Sequence, residues 1–287
     1  MDKYNKNYKT LVLSGGGSKG FVHIGALEYC WQLNYLSPIK RYWGVSVGSI
    51  LCLFLVLNYT PQEIFQLFYK YGLFHIYDID TSTIQASALM HIESLGDRII
   101  DLLKSDFNRS TTFKQLYKKT GKHLNIIGTK MGSLDDKLEH FNHKKTPEMS
   151  IIDAIEISCA LPFIFTEKIY NNVKYIDGCF VNELPIDMAE VTKSNKTLAI
   201  WIKSNNEQTS SLLNNIYNIL TVSMNQLQYM RNKNVDRKYT DVIEIVADGV
   251  GFSDLNPSKK RQVEMWGVGY RQTEEFYSKI FMNGWEM

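Results

Sequence analysis

The chain has 287 residues, 44% of them apolar and 22% charged, which is ordinary globular composition with length for one large core or two small ones. Its formal net charge is +2, the basic residues are scattered, and no basic stripe is interleaved with aromatics, so no nucleic-acid partner is expected.

The first residues, Met1 to Tyr8, are polar and lack the apolar run of a cleaved signal, so the chain reads as cytoplasmic or intracellular, at most peripheral at membranes. Lys9–Leu13 predicts a short buried strand running into a glycine-rich loop. Ser18–Leu33 predicts a helix with Val22, Leu27 and Cys30 facing inward. Tyr42–Val45 predicts a second strand. Ser46–Leu57 predicts a helix that is apolar nearly all round and therefore central, and its run Ile50–Leu57 is too short to span a bilayer. Thr60, Pro61 and Glu63 form a cap for the next helix. Residues 72–92 are irregular and expected as a loop or lid. The aromatic-rich stretch from Phe65 to Tyr77 leads into them and reads either as core or as an interfacial surface.

Helical patterns resume at Leu95–Leu103 and Thr112–Lys119. His123–Thr129 and Lys137–Phe141 predict strands joined by a turn at 132–136. Ser150–Ser158 predicts a helix, ended by Pro162. Glu167–Tyr170 and Val173–Ile176 flank Asn171-Asn172, a hairpin turn. Strands at Thr197–Lys203 and Val242–Val246 bracket a long helix at Ser211–Asn232, and a last helix covers Lys260–Phe281. Strands alternating with helices, with no repeat or linker, imply a mostly parallel sheet in one α/β domain. Cys30, Cys52, Cys159 and Cys179 contain no C-x-x-C pair, so they are expected as reduced, partly buried thiols and not as a metal or redox site.

The chemistry gathers near the start. Ser14-Gly15-Gly16-Gly17-Ser18-Lys19-Gly20 ends 24 positions before Gly44-Val45-Ser46-Val47-Gly48. Acyl transfer needs an exposed nucleophile and a nest of backbone N–H groups for the oxyanion, and each of these segments suits one need. A serine between glycines, after a strand and before a helix, sits on a sharp turn with its hydroxyl exposed. The bland alternative is a strand–turn–helix that merely contains two glycines.

The proton acceptor is not an obvious histidine. The six histidines are His23, His75, His91, His123, His140 and His143, and none follows in the late position of an α/β-hydrolase triad. His123, His140 and His143 read as surface, and His23 as packed or partly exposed. Asp177 remains: it closes a strand and is followed by Gly178 and the small Cys179. Burial would raise its pKa from about 3.9 and make it a better base. The alternative is a turn aspartate bonded to its own backbone.

In this order Gly15-Gly16-Gly17-Ser18-Lys19-Gly20, Gly44-Val45-Ser46-Val47-Gly48 and Asp177-Gly178 resemble the patatin-like phospholipases. Ser158-Cys159-Ala160-Leu161-Pro162-Phe163-Ile164-Phe165 and Asn182-Glu183-Leu184-Pro185 resemble the same family. The likeness covers residues 9–190 as the catalytic core, with 191–287 the C-terminal part of the same domain. It implies a three-layer α/β/α fold and hydrolysis of lipid acyl esters through Ser46 and Asp177, with an oxyanion hole at Gly15, Gly16, Gly17 and Ser18. The substrate would be a phospholipid or other acyl ester, with transient membrane-surface contact and no cofactor or metal. One departure is Cys179, where the family usually has glycine or alanine.

Competing readings use the same residues. Gly15-x-Gly17-x-x-Gly20 fits a dinucleotide fingerprint, but the region about 20 positions on, Leu36 to Arg41, offers no acid. A hydrolase of soluble esters or thioesters would use the same dyad, and a non-catalytic lipid-binding relative would keep the fold. Lys19 reads either as a contact for a lipid phosphate or as an exposed helix lysine. Lys118, Lys119, Lys122, Lys144 and Lys145 read as a solvated face or as contacts for anionic lipid.

Overall fold

The computed structural model describes residues 6–73, 88, 90–103, 107–132, 137–203, 212–248 and 257–283. Most of the expected loop at 72–92, and the turn at 133–136, lie outside them.

Strands β1 (Tyr8–Leu13), β2 (Arg41–Gly44), β3 (His123–Lys130), β4 (Leu138–Asn142), β5 (Lys168–Tyr170), β6 (Val173–Asp177), β7 (Lys196–Lys203) and β8 (Thr240–Val246) form one sheet. Its order is β5-β6-β3-β2-β1-β7-β8, with β4 also paired to β3. The centre is parallel, from β3 through β2, β1 and β7 to β8, while β4, β5 and β6 add antiparallel pairs. Each segment reads as its sequence requires. Side chains alternate across a strand, so Leu11, Leu13, Tyr42, Ile126, Leu198 and Ile200 enter one core while Val12, Trp43, Ile127 and Ala199 enter the other.

The first core is covered by α1 (Gly20–Gln32), α2 (Val47–Val56), α3 (Pro61–Tyr71), α4 (Ile92–Leu102), α6 (Ile151–Cys159) and α9 (Lys259–Asn283). The second core takes in Val181 of α7 (Cys179–Asn182), Leu184, Ile186 and Ala189, and α8 (Leu212–Asn232) packs onto α7. The outcome is a mixed, mostly parallel sheet with helices on both sides. Between α2's side and the solvent, α5 (Phe113–Thr120) is closed by a capping box of Thr112 and Gln115 and by Gly121 in the left-handed region.

Local chemistry explains the ends. Thr60 and Glu63 bond reciprocally at the start of α3, with Pro61 in its first turn. Ser150 caps α6 through the Asp153 N–H, and the helix stops at Cys159, three residues before Pro162. Asn171 and Asn172 both have positive φ, 48° and 62°, as a two-residue hairpin turn requires. The sequence pattern missed α7 and the 3₁₀ turn Ile186–Met188, which are too short to show a period. It also missed how closely α1 and α9 approach: a Cβ at Gly25 would collide with the Trp266 carbonyl, and one at Gly269 with the Val22 carbonyl.

Candidate active site

Sheet register brings the two ends of the site together. Leu13 of β1 lies opposite Gly44 of β2, so the glycine loop and Ser46 leave the sheet side by side. On β3, residues 125–126 pair with β2 on one edge and β4 on the other. Residues 128–129 pair with β4 and with β6, so β6 occupies the same edge as β2, just beyond its end. Asp177 faces Gly128 there, in the continuation of the line from which Ser46 turns away.

Ser46 has φ 52° and ψ −129°, a conformation that a side chain resists and that packing must impose. Its N–H donates to Ser158 Oγ at 2.9 Å, and its carbonyl accepts from Ser49 Oγ at 2.6 Å. The flanking glycines permit the reversal: a Cβ on Gly44 would lie 2.5 Å from the Gly48 carbonyl oxygen, and one on Gly48 2.5 Å from that of Ser14. Ser46 heads α2, so its backbone stands at the positive end of a fully buried helix. Ser158 received no role from the sequence, although it stands in the quoted segment before Pro162.

Asp177 is 1% exposed. Its N–H donates to Ala160 O at 2.9 Å and its carbonyl accepts from Thr129 Oγ1 at 2.8 Å, which fixes the backbone. The Cys179 N–H donates to Oδ1 at 2.8 Å. Burial pushes the carboxyl up to about 6; that N–H, the Ser46 hydroxyl and the Cys179 thiol pull the other way. No cation stands among the described groups that act on it. The carboxyl therefore titrates close to neutrality with the Ser46 hydroxyl beside it.

The glycine loop presents backbone donors. Gly16 and Gly17 have φ 153° and 55°, and Lys19 N–H closes a 3₁₀ turn on Gly16 O at 3.0 Å. Among the described residues, the amides of Gly16, Gly17 and Ser18 donate to no protein acceptor. The Gly15 amide likewise donates to no acceptor among the described residues, and a Cβ there would collide with Cys179 Sγ. Gly20 packs on Val47, drawing the loop onto α2, and a Cβ at Gly178 would meet the Ile127 carbonyl. A shallow apolar cleft beside the loop is lined by Gly17, Ser18, Phe21, Val47, Phe68 and Leu73. Phe68 and Leu73 are thus core and cleft wall, Tyr71 is exposed, and Phe74, Ile76 and Tyr77 fall outside the described residues.

Two expectations, at Lys19 and His140, need correction, and His23 takes the packed one of its two expected settings. Lys19 is not an exposed helix lysine: it is 4% exposed, because the 3₁₀ turn tucks it inward, and its charge acts on Glu183. His140 is not at the surface. It is buried, stacked on Trp43 with ring centroids 4.6 Å apart, and bonded to Asn125 Oδ1 at 3.0 Å; burial pushes its pKa down to about 4. His23 is fully buried; its Nε2–H donates to Ser14 O at 3.0 Å, and burial pushes it down to about 4. Its neutral ring props the strand before the loop.

Two further groups were missed by sequence. Cys159 is a buried thiol next to Ser46 and Ser49, its pKa pushed well up by burial. Glu183 accepts from Trp201 Nε1 at 3.3 Å and is pushed up to about 7, by burial first and also by Asp177, against the pull of Trp201, Lys19 and Lys203. Its signal was the Asn182-Glu183-Leu184-Pro185 segment. Among the described residues no group of three or more His, Cys, Asp or Glu is placed to hold a metal ion, and no helix is long and apolar enough to cross a membrane.

The stretch of chain that carries these residues matches a known family. A model described as patatin-like phospholipase matches residues 11–190. The chain is 34% identical over 220 residues to a probable lipid hydrolase of Invertebrate iridescent virus 6, covering 70% of this chain and 74% of that protein. It is 30% identical over 207 residues to triacylglycerol lipase 4 of Saccharomyces cerevisiae, covering 61% of this chain and 22% of that one. Its fold matches VipD from Legionella pneumophila with a TM-score of 0.64 at 15% identity, covering 95% of this chain and 67% of that chain. ExoU of Pseudomonas aeruginosa, in complex with SpcU, gives 0.53 at 17% identity, covering 95% of this chain and 52% of that one. The chain belongs to the patatin-like phospholipase family.

Proposed function

We propose that this chain hydrolyses fatty-acyl esters of lipids, phospholipids first among them, by attack of Ser46 with Asp177 as its base. The observation that carries the reading is the pairing of a strained serine, at φ 52°, with a buried carboxyl that titrates near 6 and has the serine hydroxyl beside it. A carboxylate of ordinary acidity would be a weak acceptor at neutral pH, and burial without a cation removes that handicap.

In this mechanism Ser46 Oγ attacks the ester carbonyl as its proton passes to Asp177. The amides of Gly16, Gly17 and Ser18 hold the oxyanion; in comparable sites one such donor is worth about 2.7–4 kcal/mol of barrier. Collapse breaks the bond to the alcohol oxygen, which takes the proton from Asp177 and leaves as lysophospholipid. Water, deprotonated by the same aspartate, then attacks the acyl-serine, and the fatty acid leaves as Asp177 returns the proton to Ser46 Oγ. Relatives named lipid hydrolase and triacylglycerol lipase support acyl esters of lipids as the class.

The test is fatty-acid release from phospholipid vesicles and from a triacylglycerol emulsion, with a soluble short-chain ester alongside, for the wild-type chain, Ser46→Ala and Asp177→Asn. The reading expects lipid cleavage lost in both variants. Cleavage of the soluble ester alone would move the substrate class to soluble esters, and activity surviving in Asp177→Asn would remove the aspartate from its role.

A further inference from the structure

Among the described residues, one helix carries a run of exposed apolar side chains on a single face. On α8, Ile219, Val222, Tyr229 and Met230 are 71%, 63%, 63% and 56% exposed. At 100° per residue they fall on one side of the helix together with Asn215, Ser223 and Gln226, while Gln228 and Asn232 on the other side are buried. Over Leu212–Asn232 there is no carboxylate and one cation, Arg231, which is engaged by Asp187 at 3.0 Å and by Val181 O at 2.9 Å. The outward face is therefore uncharged.

The placement of the helix relates that face to Ser46. β7 and β8 are parallel neighbours, so α8, which joins them, runs antiparallel to both, with its first half at the end of the sheet where Ser46 emerges. Its second half is pinned beside the site: Gln228 bonds both the N–H and the carbonyl of Leu184, and α7, on which α8 packs, begins two residues after Asp177. Ile219 is nine positions before Gln228, about 13 Å along the helix towards the Ser46 end.

We infer that the outward face of α8 is the surface with which this chain settles on a lipid layer. The inference rests on the lipid-ester reading of the Ser46 site. Apolar side chains flanked by Asn, Ser and Gln, with no charge to desolvate, suit the interfacial zone of an uncharged lipid layer. Four side chains make a patch on the order of a few hundred Å², short of the about 800 Å² per partner that a stable protein interface buries. The lysines that could meet anionic lipid are no rival: Lys118 and Lys119 lie in the last turn of α5, Lys122 precedes β3 and Lys144 and Lys145 follow β4, at the opposite end of the sheet from Ser46. A lipid layer docked there would face away from the nucleophile.

The test uses full-length Ser46→Ala chain, so that binding is read without turnover, in flotation with phosphatidylcholine vesicles at low and high salt. The chain is expected to float with the vesicles, with little change at high salt. The triple variant Ile219→Ser, Val222→Ser, Met230→Ser should lose at least about tenfold in partitioning. Lys118→Ala with Lys144→Ala and Lys145→Ala should float as the parent does. With Ser46 intact, the triple variant should keep its soluble-ester rate and melting temperature while losing vesicle hydrolysis. No flotation of the parent, equal flotation of the triple variant, or a dimer that the triple variant converts to monomer would overturn the inference. A wild-type chain that floats but cleaves no ester would fail the catalytic reading and leave the docking face standing.

Discussion

Two carboxylates in this molecule are buried to the same degree and solvated in opposite ways. Glu156, on α6, has a side chain fully shielded from water, with Arg109 Nη1 at 2.7 Å from Oε1 and Lys168 Nζ at 2.5 Å from Oε2. Lys168 also reaches Glu93 at 3.2 Å and Asp153 at 3.3 Å, so the cluster ties α4, α6 and β5 together. Burial raises the Glu156 pKa and both cations lower it again. Asp177 is given backbone N–H, hydroxyl and thiol in place of cations, and rests at about 6. A buried carboxylate matched by cations is a structural joint; one left without them is available as a base.

Breaking either side of the contrast should give opposite signatures. The largest effect is on catalysis: Ser46→Ala and Asp177→Asn should each lower turnover by at least about 10³-fold in a fatty-acid release assay. Asp177→Asn should also stabilise the fold. With a folded-state pKa of about 6 against an ordinary 3.8, the folded chain holds a proton that the unfolded chain has released between those values. Folding therefore loses free energy as pH rises through that window, by about 3 kcal/mol at pH 7. Urea unfolding should find the variant more stable than wild type at pH 7, with the gap closing towards pH 4.

The cation-matched site should behave the other way. Lys168→Met strands Glu156 with half its partners and should cost about 3–5 kcal/mol in urea unfolding, with the ester rate per folded molecule little changed. Adding Glu156→Gln should recover much of that loss. The smallest effect sharpens the packing of the site: Gly15→Ala sets a methyl against Cys179 Sγ and should cost about 1–3 kcal/mol. Cys179→Gly should relieve the strain in the double variant, read as a recovered melting temperature.

What the sequence made legible follows the same line. The glycines around Ser46, the caps at Thr60, Thr112 and Ser150, and the turn at Asn171-Asn172 are local devices, and local chemistry announces them. The placement of Asp177 beside Ser46 depends on β6 following β2 along one edge of β3, which no local pattern contains. Glu156 reads as an ordinary helix glutamate, because Arg109 stands 47 positions before it and Lys168 12 positions after it, beyond the end of α6. Lys19 and His140 were misplaced for a related reason: polar residues are assigned to the surface unless their partners are known. Interleaved Asn and Ser likewise disguised how much of α8 is apolar and outward.

The most direct measurement is the rate at which a fluorophosphonate labels the chain between pH 4.5 and 8.5, with the adduct mapped by peptide mass spectrometry. A single adduct on Ser46, a rate that rises through a midpoint near 6 and labelling abolished in Asp177→Asn are expected. An adduct on another residue, or a Ser46 rate and midpoint unchanged in Asp177→Asn, would contradict the pairing of Ser46 with Asp177.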